Sequence, residues 1–228
     1  MKKSLILILV CGIFVPQLSA QKLSLQDNNK VSSEVSKITE IVLPAPEMGG
    51  GMPLMEALAH RATNRRFLPE SLSEAQLSNL LWAANGVNRT NLMKRTAPSA
   101  RNAQEIDIYV CMENGVFFYD ARKHKLTMVV DKDVRKDMSN QKFVPIAPVV
   151  LVFVADFTKM DGFSDEAKEF YSATDVGYVS QNVYLYCASS NLATVVCGSF
   201  NKDYLTQLLS VKESGKVLLI QPVGKMEE

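Results

Sequence analysis

The sequence predicts one α+β domain, and three observations carry that prediction. Helical periodicity gathers in residues 53–86 and again in 165–209. The stretch between them is rich in β-formers and holds Glu113-Asn114-Gly115, a hairpin signal. Ala147 to Ala155 is an almost unbroken apolar run with four valines, the pattern of a central strand buried on both faces. Helices gathered at the two ends of a mixed or antiparallel sheet favour α+β over a doubly wound architecture.

The composition is ordinary for a folded protein. The 228 residues carry 25 Lys+Arg and 24 Asp+Glu, a net charge of +1, with 47% apolar residues. That balance gives no sign of nucleic acid as a partner and none of wholesale disorder. Four cysteines are too few for a disulfide scaffold, and two histidines argue against a His-rich metal site.

The elements follow in order. Residues 1–20 read as a secretory signal peptide: Lys2 and Lys3, an apolar run from Leu5 to Val15, and Leu18-Ser19-Ala20 before Gln21. The run is short for a membrane anchor and is broken by Pro16 and Gln17. Val10 before Cys11 fits a lipoprotein signal poorly. Export, to a periplasm, is therefore the expected location. Cleavage leaves 23 basic and 24 acidic residues, a net of −1, and three cysteines, Cys111, Cys187 and Cys197. An odd number implies a free thiol or an intermolecular bond, and a Cys187–Cys197 disulfide stays open.

Residues 21–52 read as an arm or linker, ending in Leu43-Pro44-Ala45-Pro46 and Gly49-Gly50-Gly51. The domain proper is then 53–228. Pro53 suits the first position of a helix reaching Arg61. Ser73 and Gln76 form a capping box inside a Leu72/Leu77 staple, Leu77, Leu80, Leu81 and Ala84 give the apolar face, and Gly86 ends the helix. Ile106–Met112 and Val116–Tyr119 are the hairpin strands, and Leu126–Val130 is a further strand. A helix from about Asp165 to Ser190 follows the central strand. Thr194–Cys197 is a short strand, Tyr204–Leu209 a short helix, and Lys216–Val223 the last strand.

Four segments carry chemistry. Arg61-Ala62-Thr63-Asn64-Arg65-Arg66-Phe67 places three guanidiniums and a hydroxyl at a helix end. Arginine binds phosphate bidentately, although a solvated basic helix end would look the same. Arg95 to Gln104 is a polar loop offering hydrogen bonds to a planar ligand. Thr194 to Phe200 ends a strand in Gly198, which lets backbone approach a ligand. Pro222-Val223-Gly224-Lys225 is a strand end with a cation.

In this order the segments resemble the FMN-dependent nitroreductase family, nearest to its SagB-type azoline dehydrogenase branch. Arg61-x-Thr63-x-Arg65-x-Phe67 is similar to the family's opening motif. Leu80-Leu81-Trp82-Ala83-Ala84-Asn85-Gly86, Arg95-Thr96-Ala97-Pro98-Ser99-Ala100, and Asp175-x-Gly177 with Gln181-Asn182-Val183-Tyr184-Leu185 resemble the motifs that follow. The resemblance spans residues 53–225.

It implies an intertwined homodimer with FMN at the subunit interface. Arg61 and Thr63 would hold the phosphate, and Arg65 would face the flavin N1/O2 edge, where a cation stabilises the anionic reduced ring. Pro98, Ser99, Ala100 and Asn102 would reach the FMN of the other protomer. Asn140, or its neighbour Gln141, would read the N3/O4 edge. Val196, Cys197 and Gly198 would lie along the ring, with a backbone N–H near N5. Family members usually continue past the last strand to a further cation for the phosphate; here Lys225 is the candidate, beside Glu227 and Glu228 of the wrong sign. The expected activity is hydride or electron transfer through flavin N5 to a small planar acceptor such as a quinone or nitroaromatic. No side chain is required as acid or base. Azoline or peptide dehydrogenation and a non-catalytic flavin-binding role are the alternatives. Export raises the question of the donor: NAD(P)H, a quinol or a redox protein.

Overall fold

The computed structural model describes residues 39–211 and 213–227. The expected signal peptide and most of the expected arm lie outside the described residues. Among the described residues, no helix is long and apolar enough to cross a membrane.

The end of the arm forms a strand, β1 (Glu40–Val42). Then come α1 (Leu54–His60), α2 (Glu74–Asn85) and a small hairpin of β2 (Val87–Arg89) and β3 (Lys94–Arg95). The sheet strands β4 (Ile106–Met112), β5 (Gly115–Asp120), β6 (Lys125–Val130) and β7 (Val149–Asp156) follow. The chain closes with α3 (Asp165–Ser189), β8 (Leu192–Thr194), α4 (Lys202–Leu208) and β9 (Gly215–Lys225). The seven-stranded sheet has the order β1-β6-β5-β4-β7-β9-β8, and every pairing in it is antiparallel. The fold is α+β, as the sequence predicts.

Alternation decides which face each side chain takes. On β7, Val149, Leu151, Phe153 and Ala155 join a core with Leu77, Leu80, Leu81 and Ala84 of α2 and Val176, Val179 and Val183 of α3. Val150, Val152 and Val154 point the other way, into a second core with Leu205 of α4 and Val134, Met138 and Val144 of the β6–β7 connection. Both faces are covered, and this makes the run continuously apolar even though its neighbours are antiparallel. The capping box closes as expected: Ser73 Oγ accepts from the Gln76 N–H at 3.1 Å, and Gln76 accepts from the Ser73 N–H at 3.0 Å.

Three local readings change. Pro53 sits one residue before α1 as its cap. Met112 pairs with Gly115, so the hairpin turn is Glu113-Asn114 and Gly115 opens β5. Gly115 has φ +139°, and a Cβ there would come within 2.5 Å of the Val130 carbonyl oxygen of β6, so close approach of that strand requires glycine. The strand expected over Thr194–Cys197 ends at Thr194, and Cys197 continues only as an isolated bridge to Ile220. Cys111, Cys187 and Cys197 are free, buried thiols, so the Cys187–Cys197 disulfide does not form.

Candidate functional site

Arg61 ends α1, its N–H donating to the Ala57 carbonyl at 2.9 Å. Beyond it the chain runs beside the strand ends. The Asn64 N–H donates to the Thr194 carbonyl at 2.9 Å, Phe67 bridges to Met226, and the Leu68 N–H donates to the Lys225 carbonyl at 3.0 Å. Phe67 is buried and fixes this edge to the core. Arg61, Thr63 and Arg65 are thereby displayed outward on a backbone that is tied down.

Two aromatic rings support the guanidiniums. Arg61 lies over the Tyr184 ring at 5.4 Å and Arg65 over the Phe143 ring at 5.9 Å, and Phe143 packs against Phe67 at 6.2 Å. Among the described residues, no carboxylate stands within ion-pair distance of Arg61 or Arg65. Two uncompensated cations held on ring faces keep their N–H edges for an anion. Tyr184, from α3, also joins the segment to the strand end: its hydroxyl accepts from the Val196 N–H at 3.0 Å and lies 3.1 Å from Thr63 Oγ1.

The strand end itself is selective in what it offers. The Val196 N–H is taken by Tyr184, and the Cys197 N–H donates to the Ile220 carbonyl at 2.8 Å. Gly198, exposed, keeps its N–H for an incoming group, and a Cβ there would meet only Leu219 at 3.9 Å. Gln141 lies beside Cys197 and donates from Nε2 to the Ser199 carbonyl at 2.9 Å. Burial pushes the Cys197 thiol up, while Gln141 and the Arg65 charge pull the other way; the net shift is upward and the group stays a thiol.

The loop after β3 is built differently. Arg101, Asn102 and Gln104 have φ of 51°, 59° and 53°, a left-handed conformation that costs non-glycine residues of the order of 1 kcal/mol each. Hydrogen bonds hold it there. The Ala100 N–H donates to Asp175 Oδ2 at 2.8 Å, the Gln104 N–H to Ser99 Oγ at 2.9 Å, and Arg95 Nε to Gln104 Oε1 at 3.1 Å. Arg101 stacks on Phe163 at 4.4 Å. Beneath lies Glu105, wholly buried, with no donor among the described residues reaching either carboxylate oxygen. Burial first, and then the Asp175 carboxyl beside it, raise the Glu105 pKa to about 7.

The sequence model of the Nitroreductase family matches residues 58–225. The chain belongs to the nitroreductase family. A nitroreductase-family relative from Methanocaldococcus jannaschii is 32% identical over 199 residues, covering 83% of this chain and 98% of its own. A crystal structure of a nitroreductase-family protein from Ralstonia eutropha JMP134 superposes with a TM-score of 0.80 at 39% identity, covering 85% of this chain and 92% of that one. The NADPH:FMN oxidoreductase from Vibrio harveyi, complexed with NAD+, shares the fold with a TM-score of 0.59 at 21% identity, over 77% of this chain and 69% of that one.

Within this nitroreductase-family chain, the expected site residues fall into two groups. Arg61, Thr63, Arg65, Val196, Cys197 and Gly198 come together around Tyr184 and Gln141. Pro98, Ser99, Ala100 and Asn102 stand on the strained loop, and no hydrogen bond or ion pair among the described residues joins them to the first group. Asn140 is exposed, and it is Gln141 whose amide reaches the strand end. Lys225 is ion-paired with Glu70 instead of standing among the arginines. In the sequence Tyr184 stands only within the Gln181–Leu185 motif, with no role of its own, and Phe143 and Glu105 carry no signal.

Proposed function

We propose that this nitroreductase-family oxidoreductase binds FMN between two copies of itself and uses it to reduce a small planar acceptor of quinone or nitroaromatic type. The observation that carries the reading is the pair of uncompensated guanidiniums, Arg61 and Arg65, flanking the Thr63 hydroxyl beside the free Gly198 N–H. The donor set matches the ligand's two ends. Arg61 and Thr63 supply charge and a directional hydroxyl for a phosphate. Arg65, Gln141 and the 196–198 backbone would line a planar polar ring, and Cys197 would pack beside it as a protonated thiol. FMN, when bound, supplies the redox chemistry; these side chains bind it, orient it and bias its charge.

Two observations support the second copy. The 98–102 loop is held by hydrogen bonds and exposes Pro98 and Asn102, whose amide oxygen accepts from Gln104 Nε2 within the loop at 3.2 Å. Apolar side chains stand exposed on α1 (Leu54 63%, Met55 76%) and α3 (Phe170 65%, Tyr178 46%), as expected of a face that another subunit covers. The motif pattern keeps azoline dehydrogenation, the SagB-type reaction, as the second reading. Export by the 1–20 segment would place the protein away from cytoplasmic NAD(P)H and favour a quinol or redox-protein donor.

The test is direct. The purified protein is expected to be a yellow dimer in sedimentation, and Arg61→Ala is expected to weaken FMN binding by about 1.5–3 kcal/mol. A colourless dimer that ignores added FMN would sink the reading. Anaerobic mixing with NADH and with a soluble quinol then separates the donors.

A further inference from the structure

A cavity of about 490 Å³ opens between the end of α2, the β2–β3 hairpin, the 102–104 segment and strands β4 and β5. That is the size of a small-ligand pocket. Arg61, Thr63, Arg65, Gln141 and the 196–198 strand end do not line it. Leu92, Met93, Ile108 and Phe118 give it apolar wall, and Arg95, Asp107, Asp120, Arg122 and Lys159 are its charged residues. Both carboxylates have partners. Lys159 Nζ donates to Asp107 Oδ1 at 2.7 Å, and Asp120 Oδ1 accepts the Arg122 and Lys123 N–H groups at 3.0 and 3.2 Å. Among the described residues, no carboxylate lies within ion-pair distance of Arg95 or Arg122. Arg95 is aimed by its own chain. Its Nε donates to Gln104 Oε1 at 3.1 Å and its Nη1 to the Asn85 carbonyl at 3.0 Å, which leaves Nη2 with no acceptor among the described residues. Burial lowers the Arg95 pKa, Tyr119 opposes that, and the nearby Arg122 charge lowers it further. A half-buried guanidinium with a like charge beside it gains from an anion placed between the two.

We propose that this cavity binds a small carboxylic acid with a compact apolar body, its carboxylate between Arg95 and Arg122 and its body against Phe118 and Leu92. The lining charges leave one net positive, which suits a monoanion better than a phosphate dianion. Arg95 supplies a fixed fork for the carboxylate. Arg122 is exposed and makes no side-chain hydrogen bond among the described residues, so it is free to close over the ligand. The site also touches the strained loop. Gln104, which accepts from Arg95, donates from Nε2 to the Met93 carbonyl at 2.9 Å and to Asn102 Oδ1 at 3.2 Å. An acid on Arg95 therefore braces one wall of that loop. The proposal stands apart from the reading that Arg61 and Thr63 hold a phosphate.

The experiment titrates the full chain, in excess FMN, with phenylacetate and with phenylacetamide, which has the same shape and no charge. Calorimetry is expected to show phenylacetate binding about tenfold more tightly than the amide. Arg122→Ala is expected to weaken phenylacetate about tenfold and leave the amide within about twofold. Arg95→Lys keeps the charge, loses the fork, and is expected to weaken phenylacetate about threefold or more. Should Arg95→Lys fail to fold, because Arg95 also holds Gln104, Arg122→Ala decides alone. Arg61→Ala is expected to leave phenylacetate affinity unchanged. No phenylacetate binding at millimolar concentration would overturn the proposal, and so would equal binding of acid and amide. An Arg122→Ala variant that binds phenylacetate as tightly as the parent would overturn it too. A loss in Arg61→Ala, or displacement of phenylacetate by added FMN, would overturn it by placing the acid on the 61–65 segment.

Discussion

Residues 61–67 and residues 98–104 both display polar groups outside the sheet, but different contacts hold them. The first segment presents cations outward and is fastened from behind by backbone bonds and aromatic rings. Among the described residues, no carboxylate pairs with Arg61 or Arg65. The second presents Pro98 and Asn102 outward and is fastened by hydrogen bonds, the buried Asp175 accepting from the Ala100 N–H at 2.8 Å and Ser99 Oγ from the Gln104 N–H at 2.9 Å, with Glu105 unbonded beneath. Its backbone is strained where the first is relaxed. A region with spare charge is ready for an anion. A region with spent hydrogen bonds and strained backbone holds its shape without offering charge.

The sharpest way to break this contrast is to remove the buried charge. The Glu105 carboxyl loses its proton near 4.5 when the chain is unfolded and near 7 when folded. The folded state then holds more protons between those values, so stability is full below about 4.5, falls as pH rises through the window, and levels off above about 7. The penalty is at most about 3 kcal/mol. Glu105→Gln is expected to be more stable than the parent at pH 8 by up to that amount, with the difference vanishing near pH 4.5. Urea unfolding of both proteins across this range checks it. A difference that does not depend on pH would mean that Glu105 is not the loop's proton store.

Next in size is the amide. Gln141, bonded to the Ser199 carbonyl and beside Cys197, belongs to the first region, whereas Asn140 faces solvent. Gln141→Ala is expected to weaken FMN binding by about 1 kcal/mol, and Asn140→Ala by a few tenths at most. The reverse order would move the flavin edge away from the arginine cluster.

How much of this was legible in the sequence depends on the scale of the cause. Helix starts and the central strand were legible because local chemistry sets them: Ser73 with Gln76, and the run through Val149–Val154. The arginine segment was legible only through its place in the order of motifs, since by itself a solvated basic helix end would look the same. Tyr184 and Phe143 were not, because an aromatic residue in a helix or loop says nothing about which arginine it will lie beneath. Glu105 was not, because its burial follows from α3 bringing Asp175 against the start of β4, a contact between residues 70 apart. The choice between Asn140 and Gln141 turned on one residue of loop phase, which periodicity does not specify.

The smallest expected effect concerns Lys225, which the sequence offered as a third cation for the phosphate. Its ammonium pairs with Glu70, and its backbone carbonyl receives the Leu68 N–H. Both contacts tie the end of β9 to the segment after Phe67, so Lys225 secures the first region without adding to its free charge. The pair is solvent-exposed, with side-chain exposures of 42% and 60%, and such pairs contribute about 0–1 kcal/mol. Lys225→Ala is therefore expected to shift thermal stability slightly and FMN affinity by less than about twofold, and Glu70→Ala to leave FMN affinity equally unmoved. A tenfold loss in Lys225→Ala, together with tighter binding in Glu70→Ala, would show the lysine leaving its carboxylate for the ligand. The cations for the ligand would then come from two places, the 61–67 segment and the end of β9.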